Sequence, residues 1–155
     1  MADEGSGDNA FANGSYTAAA ASATAGLQKW VYSASAGQWQ LAYTLRSGLK
    51  LGAPYTVKGY PAGTNPVTSL PWSPATDGLR NITGKVNPNG TVTIWGVTST
   101  VSGGGDQGAD PNQLVSVTDK LGATALPAAE QFRTVVAPRY DQVVRGVSFT
   151  PGSRR

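Results

Sequence analysis

Alternation of large and polar side chains is the feature that most restricts the fold of this sequence. The run LQKWVYSA (27–34) and the run QWQLAYTLR (38–46) both alternate at every residue, and an Ala-Gly step stands between them. A period of two is that of a β-strand, whose successive side chains point to opposite faces. The sequence therefore predicts a hairpin over 27–45, with most of its aromatic residues in the strand core.

The rest of the chain follows the same pattern. Five further runs rich in β-branched residues predict strands, at 79–86, 91–101, 113–119, 131–137 and 142–150. Residues 46–78 differ, because they contain five of the ten prolines, and proline interrupts the ladder of a sheet. The small-residue stretch 17–26 is compatible with a short helix or a loop. The sequence predicts an all-β fold.

The absence of cysteine and histidine restricts the chemistry more than any other property of the composition. It excludes disulfides, zinc sites built on these residues, thiol catalysis and every Ser-His-Asp arrangement, and it argues against haem. A metal held by this protein would need oxygen ligands, which are typical of calcium and magnesium. Catalysis would depend on carboxylates, hydroxyls, lysine, tyrosine or a bound ion.

The glycine-rich stretch VSGGGDQGADPN (101–112) fits the G-x-G-x-x-G pattern of dinucleotide-binding loops. Such a loop needs a helix directly after the glycines, because the helix amides hold the pyrophosphate. Here Pro111 and a β-branched run follow, so we expect no nucleotide. Asp106, Asp110 and Asn112 fall at alternate positions, as in loops that present oxygens to calcium. They do not fit an EF-hand, because Pro111 and Val117 occupy its glycine and glutamate positions.

Two interpretations of these oxygens stay open. In one they bind Ca²⁺; in the other they cap tight turns through their own backbone. If they bind calcium, Asp106, Asp110 and Asn112 are the principal ligands, and the weaker candidates are Asp8, Asp77 and Asn81. Asp3 and Glu4 are then the candidate catalytic carboxylates.

Charge and hydropathy exclude two classes of partner. The net charge of +3 comes from scattered cations without a basic stripe, so we expect no nucleic acid. No apolar run approaches the length that spans a bilayer, so we expect no membrane insertion. The N-terminus MADEGSGDNAFANG has neither a basic nor an apolar region typical of a signal peptide. As written, the chain is expected to be cytoplasmic.

Two internal similarities indicate a repeat. GSGDN (5–9) and GGGDQ (103–107) each precede strand-like runs, and GLRNITG (78–84) resembles VVRGVSF (143–149). Repeating four-stranded antiparallel units are typical of β-propellers. The sequence thus predicts about two blades of an incomplete propeller. Its four parts are a partial blade (1–45), a Pro/Gly-rich excursion (46–78), a complete blade (79–137), and the first strand of a further blade with a basic tail (138–155).

The motifs DGLRNITGKV, NGTVTIW, TSTVSGGGDQGADPNQLVSVTD and RGVSFTPG resemble the C-terminal part of a family of secreted bacterial β-propeller proteins. The resemblance implies a propeller fold and an extracellular family. At the level of fold alone, the chain is similar to calcium-dependent propeller lactonases of the gluconolactonase and paraoxonase-like families. In those families a channel calcium polarises the lactone carbonyl.

Two functions follow as expectations. The first is a calcium-dependent hydrolase that opens lactones or related esters, including N-acyl-homoserine lactones; we favour it narrowly, because the loops are rich in oxygen ligands. The alternative is a non-catalytic propeller fragment that acts as a surface binding or assembly module. Two blades leave sheet edges exposed, so we also expect a homo-oligomer that forms through those edges.

Overall fold

The computed structural model describes residues 1–12, 15–19, 21–106 and 109–151, and none of these residues lies in a helix. Their strands are β1 (Ala2–Asp3), β2 (Asn9–Ala12), β3 (Ser15–Ala19), β4 (Gly26–Ser33), β5 (Gln38–Leu45), β6 (Ala75–Val86), β7 (Thr91–Val101), β8 (Leu114–Lys120) and β9 (Arg133–Val136). This part of the chain therefore contains no helix long and apolar enough to cross a membrane.

A three-stranded antiparallel sheet has the order β1-β4-β5, and β2 and β3 form a separate two-stranded sheet. In the three-stranded sheet β4 and β5 pair from Leu27↔Leu45 at the base to Ser33↔Gln38 at the tip, which confirms the predicted hairpin. One β-bulge interrupts the register: Lys29 pairs with Tyr43, but the next residue, Trp30, pairs with Leu41.

A four-stranded antiparallel sheet contains β6-β7-β8-β9, in chain order. The turn between β6 and β7 ends at Gly90, whose φ of +75° suits glycine better than any other residue. On β8, Val115, Val117 and Asp119 are buried while the residues between them are more exposed, as expected of a strand with one covered face. The described strands do not close into a ring. The all-β antiparallel architecture is confirmed, and the propeller stays a prediction.

The main core lies where the three- and four-stranded sheets meet. Leu27 and Leu45 come from the base of the hairpin, and Leu79, Val115 and Val117 come from the four-stranded sheet. The segment after the hairpin adds Leu49, and the segment before β9 adds Phe132, whose amide donates to the Ser47 carbonyl at 2.9 Å. Hydrophobic burial thus joins the two sheets into one packed unit.

The structure decides between the alternatives left open for one segment and differs from the prediction in two others. Within 17–26 the described residues form the end of β3 and an irregular stretch, not a helix. The Pro-rich excursion has only isolated bridges, and β6 begins inside it at Ala75. The strand predicted at the start of 138–155 is not formed up to residue 151, because side chains rather than strand neighbours bind its backbone. The rest of the basic tail lies outside the described residues.

Candidate functional site

Asp110 lies in a buried polar cluster at the end of the glycine-rich loop. It is 4% exposed, and its Oδ1 accepts a hydrogen bond from the Tyr60 hydroxyl at 2.8 Å. The Tyr60 and Ser102 hydroxyls are 2.8 Å apart. Burial raises the pKa of Asp110 above the ordinary carboxyl value, and burial raises the pKa of Tyr60 to about 12. The carboxyl is therefore costly to charge in this position.

The Pro-rich excursion holds the glycine loop in place. Asn65 Nδ2 donates to the Gly103 carbonyl at 2.6 Å, and the Thr68 hydroxyl donates to the same carbonyl at 2.8 Å. A Cβ on Gly103 would lie 3.0 Å from the carbonyl oxygens of Leu70 and Pro71. Gly103 thus permits the close approach of two backbone segments. This role is structural and differs from the phosphate binding that the G-x-G-x-x-G pattern indicates.

The three predicted calcium ligands have different surroundings. The Asp106 side chain is exposed, and its carbonyl accepts the amides of Ala109 and Asp110 in a turn. Asn112 donates to the carbonyls of Thr98 and Val144 at 3.0 and 2.8 Å and accepts the Val144 amide at 2.8 Å. Asn112 therefore fixes one backbone segment to another. Of the three, only Asp110 retains a buried oxygen, Oδ2, without a hydrogen-bond partner among the described residues.

The second predicted cluster surrounds Asp77. Asp77 is fully buried, and its Oδ2 accepts the Gly7 amide at 2.8 Å. Gly5 has a φ of +88°, and a Cβ there would overlap the Asp77 carboxyl. Burial raises the pKa of Asp77, and the charges of Asp8, Asp3 and Glu4 raise it further. The GSGDN loop thus surrounds the Asp77 carboxyl, which belongs to β6 of the four-stranded sheet.

The candidate catalytic carboxylates have structural partners. Asp3 accepts the Gly5 amide at 3.0 Å and the Gln28 side-chain amide at 3.0 Å. Glu4 forms an ion pair with Arg80 at 3.0 Å. Asn81, a weaker candidate ligand, donates to the Arg145 carbonyl at 2.6 Å. Within the ranges that the structure covers, no three carboxylates are arranged to hold one metal ion.

A charged cluster that the sequence did not predict lies between the sheets. Lys29 from β4 forms an ion pair at 2.9 Å with Asp119 from β8, and Tyr43 from β5 donates to the same carboxylate. Both members of the ion pair are largely buried. Burial, followed by the hydrogen bond with Asp119, raises the pKa of Glu130. Because these residues are far apart in the sequence, no local motif marks the cluster.

An aromatic surface covers the outer face of the hairpin. We call it the aromatic face; it comprises Met1, Trp30, Tyr32, Trp39 and Leu41. The Trp30 indole donates to Gln28, which places both on the face away from the core. Trp30 pairs with Leu41 and Tyr32 with Trp39, so all four side chains share that face.

The prediction that these aromatics lie in the core is wrong. Trp39 is 64% exposed and Tyr32 is 53% exposed, whereas Trp72 in the Pro-rich excursion is half-buried. On β5 the bulge accounts for the difference, because the extra residue Ala42 places Leu41 and Trp39 on the face opposite to that of Tyr43. On β4 simple alternation places Trp30 and Tyr32 on the face opposite to that of Lys29.

Comparison with known protein families, curated proteins and solved structures found no match to this chain.

Proposed function

We propose that this protein is a non-catalytic assembly module, whose two larger sheets are consecutive blades of a propeller-type ring completed by further sheets. The observation that carries the proposal is the repeated order of strands. In the three-stranded sheet, β1 is followed by a Gly-Asp loop, by the separate hairpin β2-β3, and then by β4 and β5. In the four-stranded sheet, β7 is followed by a Gly-Asp loop and then by β8 and β9. Both sets of strands are antiparallel.

The contacts of the two similar segments 78–84 and 143–149 support the same proposal. The first begins against the three-stranded sheet: a Cβ on Gly78 would overlap the backbone of Asp3 and Glu4. The second lies against the far side of the four-stranded sheet, where Phe149 packs edge-on against Trp95 with ring centroids 5.3 Å apart. Each segment thus lies against the sheet that precedes it, as successive blades of a propeller do.

The experiment is a measurement of mass in solution. Size-exclusion chromatography with light scattering, over a hundredfold range of concentration, is expected to give a multiple of the chain mass. Small-angle scattering on the same sample is expected to fit a ring or an arc of sheets. A single chain mass at the highest concentration would contradict the proposal.

The calcium-dependent lactonase is a second candidate, and one observation favours it. Asp110 Oδ2 is buried without a hydrogen-bond partner in the described residues, as a carboxylate oxygen that binds a cation would be. Asp110 fits a cation, and the exposed Asp106 lies on the same turn. Asn112 fits less well, since its side chain is engaged with backbone on both sides. Bound calcium would supply polarisation of an ester carbonyl.

This candidate has its own test. Elemental analysis of the purified protein is expected to show calcium, and a lactone-opening assay with N-acyl-homoserine lactones is expected to respond to chelation and calcium readdition. Asp106→Ala combined with Asp110→Ala should abolish both, while Asp141→Ala serves as the exposed acidic control. Absence of calcium-dependent turnover would remove the hydrolase and leave the assembly module.

A further inference from the structure

We infer that the aromatic face binds a second copy of this chain, head to tail, through a cationic surface on the far side of the four-stranded sheet. The inference rests on the proposed assembly function and names its interface. The sequence predicted association through sheet edges. The exposed side chains favour instead an interface formed by the outer faces of the two sheets.

The aromatic face has the properties of a docking surface. Met1, Trp30 and Trp39 line a shallow groove of about 530 Å³. Four of its large side chains are between 38% and 64% exposed, although they stand next to one another on paired strands. Residues 30–45 contain no charged side chain, so the paired side chains of the aromatic face offer a partner apolar and aromatic contact in place of an ion pair. Contiguous exposed apolar surface of this kind marks an interaction site.

The cationic surface follows from the register of the four-stranded sheet. Lys85 pairs with Thr93, which pairs with Thr118, so the three share a face; the Thr93 and Thr118 hydroxyls are 3.2 Å apart. Two residues along, Ser116 pairs with Arg133 on that same face. Alternation along β8 places Lys120 there as well.

The charges of this second surface are available to a partner. Lys85, Lys120 and Arg133 are exposed, and the ion pairs found in the described ranges involve other cations. The paired rows that carry the three cations contain no acidic residue. Glu130 lines the same groove as Lys120 and Arg133, where it accepts the Lys120 amide at 3.2 Å and forms no ion pair with either cation. Trp95 and Phe149 form an apolar centre beside them.

The two surfaces are complementary to one another, and the cationic surface is not complementary to itself. Ammonium and guanidinium groups are attracted to the faces of tryptophan and tyrosine rings. Two cationic surfaces brought together would place like charges opposite each other. The surfaces also lie on opposite sides of the molecule, because the other faces of the two sheets pack on each other in the core. Association of opposite sides is heterologous, and it closes a ring when the rotation per subunit permits.

The test is a complementation experiment with two variants of the full chain. Variant T carries Trp30→Ser and Trp39→Ser; variant H carries Lys85→Glu, Lys120→Glu and Arg133→Glu. Each variant alone is expected to have the mass of one chain. Their equimolar mixture is expected to have the mass of two chains, since T keeps an intact cationic surface and H an intact aromatic face.

Controls separate this inference from the function on which it rests. Val67→Ser changes a side chain that is 89% exposed and belongs to neither surface, and it should assemble as the wild type does. Circular dichroism checks that both variants are folded; if T is unfolded, Trp39→Gln alone is used in its place. A monomeric wild type contradicts the assembly function itself. An assembling wild type with an equally assembling T overturns only the interface.

One further outcome would overturn the head-to-tail arrangement. If T is monomeric while H alone forms dimers, the aromatic face pairs with itself across a two-fold axis. A mixture of T and H that stays monomeric, while the wild type assembles, likewise contradicts the pairing of the two surfaces.

Discussion

Truncation of Leu79 tests whether the two larger sheets form one cooperative unit. Leu79 is 0% exposed, and it belongs to the cluster that contains Leu27 and Leu45 of the hairpin. Leu79→Ala removes three buried carbon groups, which at roughly 0.8 kcal/mol each contribute about 2.4 kcal/mol. The cavity left behind adds to this, so the expected loss in free energy of unfolding is about 3–5 kcal/mol.

Ile82→Ala is the matched control on the same strand. Ile82 is 37% exposed, so the substitution removes less buried surface and leaves no closed cavity. Its expected cost is about 1.5 kcal/mol. Urea denaturation followed by tryptophan fluorescence measures both variants, with Trp39 in one sheet and Trp95 in the other as reporters.

A Leu79→Ala variant no less stable than Ile82→Ala would contradict the shared core between the two sheets. Two separate transitions in the wild type would also refute it, because sheets joined by a shared core should unfold together.

Three other substitutions, the first with a matched control, test the polar clusters by the same denaturation assay. Lys29→Met leaves the buried Asp119 carboxylate without its cation and should lower the free energy of unfolding by about 3–5 kcal/mol. Arg80→Met, at the exposed pair, should lower it by under about 1 kcal/mol. Equal losses in the two variants would contradict burial of the first pair. Gly5→Ala should lower the free energy of unfolding by about 1–3 kcal/mol, since it combines a strained positive φ with overlap of the buried Asp77 carboxyl. An unchanged free energy would show that the loop does not surround that carboxyl. Burial raises the folded-state pKa of Asp110, so the stability linked to its proton is complete below the unfolded value near ~3.9 and is lost as the pH rises through the folded value. Asp110→Asn should therefore gain stability relative to the wild type between about pH 4 and pH 7, and a difference independent of pH would contradict the raised pKa.

The strands could be predicted well where alternation is long and the turn is short. The hairpin 27–45 and the strands from β6 to β9 follow from period-two runs joined by turns such as NPNG. The segment 142–150 has the same pattern but forms no strand up to residue 151, because Asn112 binds its backbone in place of a strand neighbour. Period-two alternation indicates that a segment tends to be extended, but a β-ladder forms only where a neighbouring strand is available to pair with it.

The contacts of the candidate site residues could not be predicted from the sequence. The Asp-rich loops are recognisable as loops, but their partners lie far away: Tyr60 for Asp110, and Asp77 for the loop at 5–9. Spacing within a loop carries no information about such partners. The aromatic face was missed for a different reason, because the bulge at Ala42 of β5, which moves Leu41 and Trp39 to the outer face, leaves no mark in the hydrophobic pattern.

That bulge, and not residue identity, decides which large side chains of β5 lie on the outer face of the hairpin. Ala42 is the residue that the register skips between Tyr43 and Leu41. If Ala42 instead paired with Trp30, simple alternation along β5 would turn Leu41 and Trp39 toward the interior of the molecule, with every aromatic residue still present. A shift of register by one residue in such a strand therefore creates or removes part of a contact surface without any change of composition on that surface.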